Sequence, residues 1–265
     1  MHYLKQIVAV RRKAGLTRQE FFDYHFQVHG KISTAPSPAE TPSRYFQTHL
    51  EDAAYHPQDS SLGLNAHPKW AFSDDITELY FQSIEHLDRV FKSPHVREKV
   101  GPDGLNFSDL GASLPVTVTE TVVPFQGCDQ IEELDSRLSS PVAMYFIAVI
   151  NSGIEDLVSG FAKCLQRFAA TRVRALISNV PVDLSWDPNA YFGSDPGRPV
   201  FDLVFTIHLR DKEAIPTVRE AQNSFEQTFA SQLNLENTWI AFGQRALIFD
   251  QDGGIEFDPA RQPRL

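Results

Sequence analysis

Two of the nine histidines in this 265-residue chain, His25 and His29, stand four positions apart. On a helix that spacing puts both imidazoles on one side, with Phe22 and Phe26 at adjoining positions. Metal ligation is one use of such a pair. The zinc-protease form, however, places Glu directly after the first His, where this chain has Phe26, and no acidic ligand stands close by, so no metal site is assigned. Acid-base work is the other use, because imidazole exchanges a proton near neutral pH. A structural His29 that hydrogen-bonds backbone beside Gly30 is the competing reading.

Tyr45, Gln47 and His49 alternate with Phe46, Thr48 and Leu50, which marks a strand with two different faces. A polar row is costly to bury unless it meets water, a ligand or partners. Facing an interior, Gln47 and His49 would orient substrate oxygens; facing out, they would be surface groups. Tyr80 shares a face with Glu78 and Gln82, opposite Leu79 and Phe81, and its phenol could donate to a developing oxyanion or simply pack. Thr206 and His208 alternate with Phe205 and Ile207, which makes His208 a secondary candidate. Phe22, Phe46 and Phe81 would wall a flat substrate. His86 and His95 flank a helix and read as surface residues.

The elements that must position these groups occur twice. Residues 4–10 form a strand, and Thr17, three before Glu20, starts a helix with a capping box that is expected to stop at Gly30. Strands follow at 44–50 and 76–84, separated by an aperiodic stretch, 51–68, expected to be a loop or lid. A helix from residue 85 is interrupted at Ser93-Pro94, and a strand at 115–125 closes the set. The same order recurs as strand 142–150, helix 154–168, strands 173–182 and 200–210, helix 212–232 and strand 239–249. The expected organisation is a unit at 1–126, a linker at 127–140, a second unit at 141–250 and a tail at 251–265. Strand, helix, strand, strand, helix, strand is the ferredoxin-like order of the α+β class. One such unit leaves a sheet face bare. Two are therefore expected to pack sheet to sheet as an intramolecular, pseudo-dimeric α+β barrel around a chamber lined by alternate strand residues. Residues 161–171 contain no counterpart of His-x-x-x-His-Gly, so one site is expected, in the first half. One chain closes the barrel, so monomer and homodimer are both allowed.

With 24 Lys plus Arg against 34 Asp plus Glu, the chain carries a formal charge of −10. That argues against nucleic acid and anionic membrane surfaces, which need basic clusters longer than Arg11-Arg12-Lys13. No apolar run approaches the ~18 residues of a membrane span, and Cys128 and Cys164 are too few for a disulfide framework. A cytoplasmic protein is expected. Gly-x-Gly-x-x-Gly, P-loop and Gly-x-Ser-x-Gly signatures are missing, which leaves nucleotide-dependent and serine-hydrolase chemistry without a basis.

The run Val10-Arg11-Arg12-Lys13-Ala14-Gly15-Leu16-Thr17, then Glu20-Phe21, Tyr24-His25-Phe26-Gln27-Val28-His29-Gly30 and Arg44-Tyr45-Phe46-Gln47-Thr48-His49, resembles the EthD domain of the dimeric α+β barrel superfamily. Glu78 to Glu85 and Phe91-Lys92-Ser93-Pro94, with Asp103 and Phe107 beyond, look like that domain's third strand and second helix. The likeness covers roughly the first half and departs at His25, where the family commonly carries Trp. It implies an enzyme of the fungal, polyketide-tailoring type: a lyase (decarboxylase or dehydratase) or a cyclase of secondary metabolism that works on an aromatic polyketide without a cofactor. A cofactorless monooxygenase of phenolic polyketides and a noncatalytic barrel that sequesters an apolar metabolite are the alternatives. Under this reading His29 and His25 are the acid-base residues and Tyr80 the oxyanion donor. Gln47 and His49 orient the substrate, and Phe22, Tyr45, Phe46, Phe81 and His208 complete its surroundings.

Overall fold

Four strands from each half of the chain close into one antiparallel barrel, and helices cover its outer surface. The computed structural model describes residues 3–60, 63–126, 138–151, 153–192 and 197–264. The first half supplies β1 (Leu4–Val10), β2 (Arg44–Tyr55), a small hairpin of β3 (Gln58–Ser60) and β4 (Gly63–Ala66), β5 (Asp75–Phe81) and β6 (Leu114–Val122). The second supplies β7 (Ser140–Ile147), β8 (Val173–Pro181), β9 (Leu203–Leu209) and β10 (Trp239–Asp250). The order around the barrel is β1, β5, β2, β10, β7, β9, β8, β6, and β6 pairs back onto β1. Each half thus contributes four neighbouring strands, and the halves join edge to edge, β2 on β10 and β6 on β8. Most of the expected linker, residues 127–137, lies outside the described residues, and Ser140 already belongs to β7.

Two stacked sheets around a chamber were expected; a hydrogen-bonded ring with a filled interior is found. Pairing the edges removes the exposed N–H and C=O groups that an open sheet would present. Ile7, Ile76, Val116, Met144, Phe146 and Trp239 meet in one lumenal cluster. Farther along the same strand faces the lumen turns ionic. Lys5 Nζ lies 3.0 Å from both Glu78 Oε1 and Glu120 Oε2, and Arg245 Nε donates to Glu78 Oε2 at 2.5 Å. Tyr80 Oη sits 3.2 Å from Arg245 Nη2 and from Glu120 Oε2, and the Arg245 guanidinium lies 3.5 Å from the centre of the Phe46 ring. Burial opposes ionisation of Glu78, but Arg245 and Lys5 hold its carboxyl down at about 2. His208 shares this interior, and burial pushes its imidazole down to about 3. Phe46, Tyr80 and His208 therefore belong to the barrel's packing.

The first helical segment begins as α1 (Arg18–Asp23), with the Thr17 and Glu20 capping box formed. It widens into a π-helical stretch, Tyr24–His29, and ends as α2 (Gly30–Ile32). Gly30 does not stop the helix. Its backbone is helical, and a Cβ there would lie 3.2 Å from Ile248 Cγ2, so glycine serves the close approach of this segment to β10. The other cross-connection runs from α3 (Ile84–Lys92), through a second π-helical stretch (Val96–Val100), into α4 (Gly101–Phe107). The second half carries two unbroken helices, α5 (Ile154–Phe168) and α6 (Ile215–Thr228). Instead of a loop over 51–68, β2 runs on to Tyr55 and the β3–β4 hairpin follows. His86 is buried, not on the surface: its Nε2 meets the Thr41 carbonyl at 3.0 Å, as His95 Nε2 meets that of Ile32 at 2.7 Å.

Replacing Arg245 with Met leaves Glu78 buried with only one of its two cations. This should cost on the order of 3 kcal/mol, read from the urea unfolding midpoint at neutral pH.

Candidate active site

A cavity of about 350 Å³ opens between the outer face of the first-half strands and the two broken helical connections. Val8 and Val10 of β1 and Thr77 and Leu79 of β5 form its floor, and Phe91, Val96, Gly101 and Phe107 its helical side. Three of the residues singled out from sequence line it: His25, His29 and Tyr45. The site therefore lies on the opposite side of the sheet from the expected chamber.

His29 comes from the last position of the first π-helical stretch. Its Nδ1 lies 2.8 Å from Asp103 Oδ2, which leaves Nε2 as the ring nitrogen for the cavity. Tyr24 Oη and Asn106 Nδ2 donate to the other oxygen of Asp103, at 2.7 and 3.0 Å. Burial works against ionisation of Asp103, yet the bonds from His29, Tyr24 and Asn106 bring it down to about 2. An ionised carboxylate behind an imidazole fixes the ring's orientation and tautomer and stabilises the cation it becomes when it takes a proton. Phe107 packs on the rings of both His25 and His29.

His25 has the opposite environment. It is 2 % exposed, and burial, with the charges of His29 and His49, keeps its imidazole well below the usual histidine range. Its Nε2 meets Tyr45 Oη at 3.2 Å, and its Nδ1 lies 3.6 Å from Asp75 Oδ1. Asp75 is fully buried; burial raises it well above the usual carboxyl range, and the side-chain bond from Thr77, at 3.4 Å, does not offset this. One amide orders this corner: Gln47 Nε2 donates to the His25 carbonyl at 3.0 Å and to Tyr45 Oη at 2.6 Å. The Tyr45 phenol is pushed upward by burial and stays protonated, a hydrogen-bond donor on the cavity wall. Two histidine–carboxyl pairs thus lie beside one cavity in opposite settings, the carboxyl of one held down and that of the other pushed up, the arrangement that separates an acid from a base.

The remaining sequence candidates lie elsewhere. Gln47 supports Tyr45 from behind. His49 stacks on Phe22, centroids 4.2 Å apart, in the layer between α1 and β2 and outside the cavity lining. Phe81 packs beneath α3 against His86 and Phe91. Asp75 and Asp103 were not assigned a role from the sequence: Asp103 is 74 positions from His29, and no local spacing links the two. Tyr191 and Phe192, which line the cavity from the second half, carry no motif at all. Among the described residues, no group of three His, Cys, Asp or Glu is arranged to hold a metal ion, and no helix is long and apolar enough to cross a membrane.

Residues 13–111, which hold both helical connections and their histidines, match the EthD domain model. Over that stretch the chain is similar to an EthD domain. No curated protein matches it in sequence. Among solved structures, an anthrone oxidase-like protein aligns at 10 % identity over 94 % of each chain, with a TM-score of 0.56. A protein described as a candidate chlorite dismutase aligns at 10 % identity over 95 % of this chain and 97 % of its own, with a TM-score of 0.51. At these identities the likeness establishes the fold alone: an α+β protein with a closed antiparallel barrel.

The buried histidines also set the acid limit of this domain. Burial takes His49 from 6.5 down to about 3. Below pH 6.5 the unfolded chain therefore binds a proton that the folded one refuses, and stability falls as the pH drops from about 6.5 toward 3. His49→Phe should remove one such proton. Urea midpoints measured between pH 6.5 and 4 should show the variant's stability falling less steeply than wild type, by roughly 1.4 kcal/mol per pH unit.

Proposed function

We propose that the protein is a cofactor-independent enzyme that removes a proton from an aromatic polyketide or a related hydroxyaromatic or β-keto substrate and holds the resulting anion. The observation that carries this is the His29–Asp103 pair, at 2.8 Å, opening onto a partly open and largely apolar cavity. His29 Nε2 takes the proton from a phenolic or enolisable position. The Tyr45 hydroxyl donates to the oxygen on which charge develops, the role first expected of Tyr80, and His25 and Gln47 position it. From that anion, loss of water or an intramolecular aldol closure needs only the same proton returned; loss of carbon dioxide from a β-keto carboxylate yields the same kind of anion, which then takes its proton from the protonated histidine, so decarboxylation, dehydration and cyclisation share one apparatus. The ferredoxin-like organisation of the two halves, with the chemistry confined to the first, is part of this reading, as is a monomeric or homodimeric protein with a small-molecule partner.

Cofactor-free oxygenation of a phenolic polyketide is the second reading. The anthrone oxidase-like barrel suggests it, and the same deprotonation delivers the electron-rich anion that reduces dioxygen. A noncatalytic binding barrel is disfavoured, because storage of an apolar metabolite does not call for an ionised carboxylate behind a cavity histidine.

His29→Ala should lower turnover of an anthrone or an aromatic β-keto acid by about 10²–10⁴, and Asp103→Asn should move it the same way by less. Both are measured in an oxygen electrode with product analysis. Product without oxygen uptake supports the lyase or cyclase, and oxygen consumed in step with product supports the oxygenase. Wild-type rates in both folded variants would sink the assignment.

A further inference from the structure

The hydroxyl of Tyr191 is buried in the cavity wall and has no hydrogen-bond partner. Its residue belongs to a short turn, Pro188–Phe192, in the connection between β8 and β9, so the second half of the chain carries it across to the EthD domain. The crossing is anchored on both sides. The ring packs edge-on against Phe91 of α3 and against Phe192, centroids 5.1 Å away in each case. Arg198 Nη2 donates to the carbonyls of Phe192 and Leu110 at 3.0 and 2.6 Å and holds this turn on the first half.

Room has been kept for the hydroxyl. Gly101 sits between the second π-helical stretch and α4 with φ −62° and ψ −54°, a conformation that any residue adopts and in which glycine is unfavourable. What glycine provides there is space, since a Cβ would lie 2.7 Å from Tyr191 Oη. The serine hydroxyls of the cavity wall are already committed: Ser33 to the His29 carbonyl at 2.8 Å, Ser108 to that of Gly104 at 2.7 Å and Ser113 to that of Asp109 at 3.3 Å. A buried hydroxyl without a partner is unfavourable, and a ligand that enters the adjoining cavity and reaches it beside Gly101 would supply the missing bond. The rings that touch Tyr191 are Phe91 and Phe192, whereas those that touch His29 are His25 and Phe107. The two polar groups thus sit among different rings of the cavity wall.

We propose that Tyr191 determines specificity by hydrogen-bonding a phenol or carbonyl oxygen on the substrate, remote from the position that His29 deprotonates. The ligand class is then a polycyclic aromatic oxygenated at both ends. This deepens the functional reading above and rests on it for the identity of the reacting end. Burial pushes the Tyr191 phenol up to about 12, so it serves as a neutral donor.

The test compares β-naphthol with the dihydroxynaphthalene that carries a second hydroxyl at the opposite end of the ring system, each titrated calorimetrically into the full chain. Wild type should bind the diol about tenfold more tightly. Tyr191→Phe keeps the ring contacts and should abolish that preference while leaving β-naphthol affinity unchanged. Gly101→Ala, which crowds the hydroxyl, should weaken the diol more than β-naphthol. His29→Ala should keep the preference, because the base is not needed for it. Equal binding of the two compounds by wild type, binding of neither, or a preference that survives in Tyr191→Phe would overturn the assignment without touching the turnover test of His29. Wild-type turnover in His29→Ala would sink the catalytic reading and leave the preference measured here intact.

Discussion

Glu78 is the residue on which the two halves depend. It comes from β5 in the first half, is fully buried in the lumen, and is held between Lys5 of its own half and Arg245 of the other. Two cations and two carboxylates, with Glu120, balance there, and the Tyr80 phenol and Phe46 ring enclose them. A buried ion pair adds little net stability compared with a well-packed apolar substitute, but removing one partner is expensive. Its structural consequence is registry: Arg245 reaches Glu78 only when β10 lies beside β2 in the observed alignment. The same network and the apolar cluster beyond it fill the interior, so a ligand has to be accommodated outside the ring.

That the candidate site falls under the helices of the first half follows from how the helices are built. In the second half, α5 and α6 are continuous and press Phe161, Leu165 and Phe225 onto Tyr145 and Phe205. In the first half both connections are interrupted by π-helical stretches, and Pro94 and Pro102 lie in or beside the second of them. A π stretch widens the helix, and such stretches gather at functional sites. Here one carries His25 and His29, and the other ends at the glycine that makes room for Tyr191.

Much of this was legible in the sequence. The capping box at Thr17, the break at Pro94 and the repeated strand–helix order are local signals, and each has a counterpart in the structure. Alternation also showed that Tyr45, Gln47 and His49 share a face and that Glu78 and Tyr80 share another. A period of two cannot tell which side of a sheet such a face meets when both sides are buried. Tyr80 was therefore placed with His29 although the sheet separates them. Gly30 was misread because a glycine near a helix end fits both a cap and a close approach, and only Ile248, more than two hundred positions away, distinguishes them. Asp103 reaches His29, and Tyr191 the cavity, through tertiary packing alone.

The carboxyl groups behind the two histidines explain why one ring and not the other is suited to carry a proton. Asp103 has three donors and partial contact with solvent, and it stays ionised, so a proton arriving on His29 meets a negative partner at hydrogen-bond distance. Asp75 is enclosed, and burial, with Asp74 and Glu78 as neighbours, pushes it toward its neutral form. A proton on His25 would find no such partner in the same low-dielectric layer, where an unpaired charge is most costly. Burial favours the neutral forms of both His25 and Asp75, and their effect reaches the cavity through the Tyr45 hydroxyl that His25 and Gln47 hold. Charge can therefore accumulate at one end of the cavity wall and be met by a neutral donor at another, without either histidine exchanging roles.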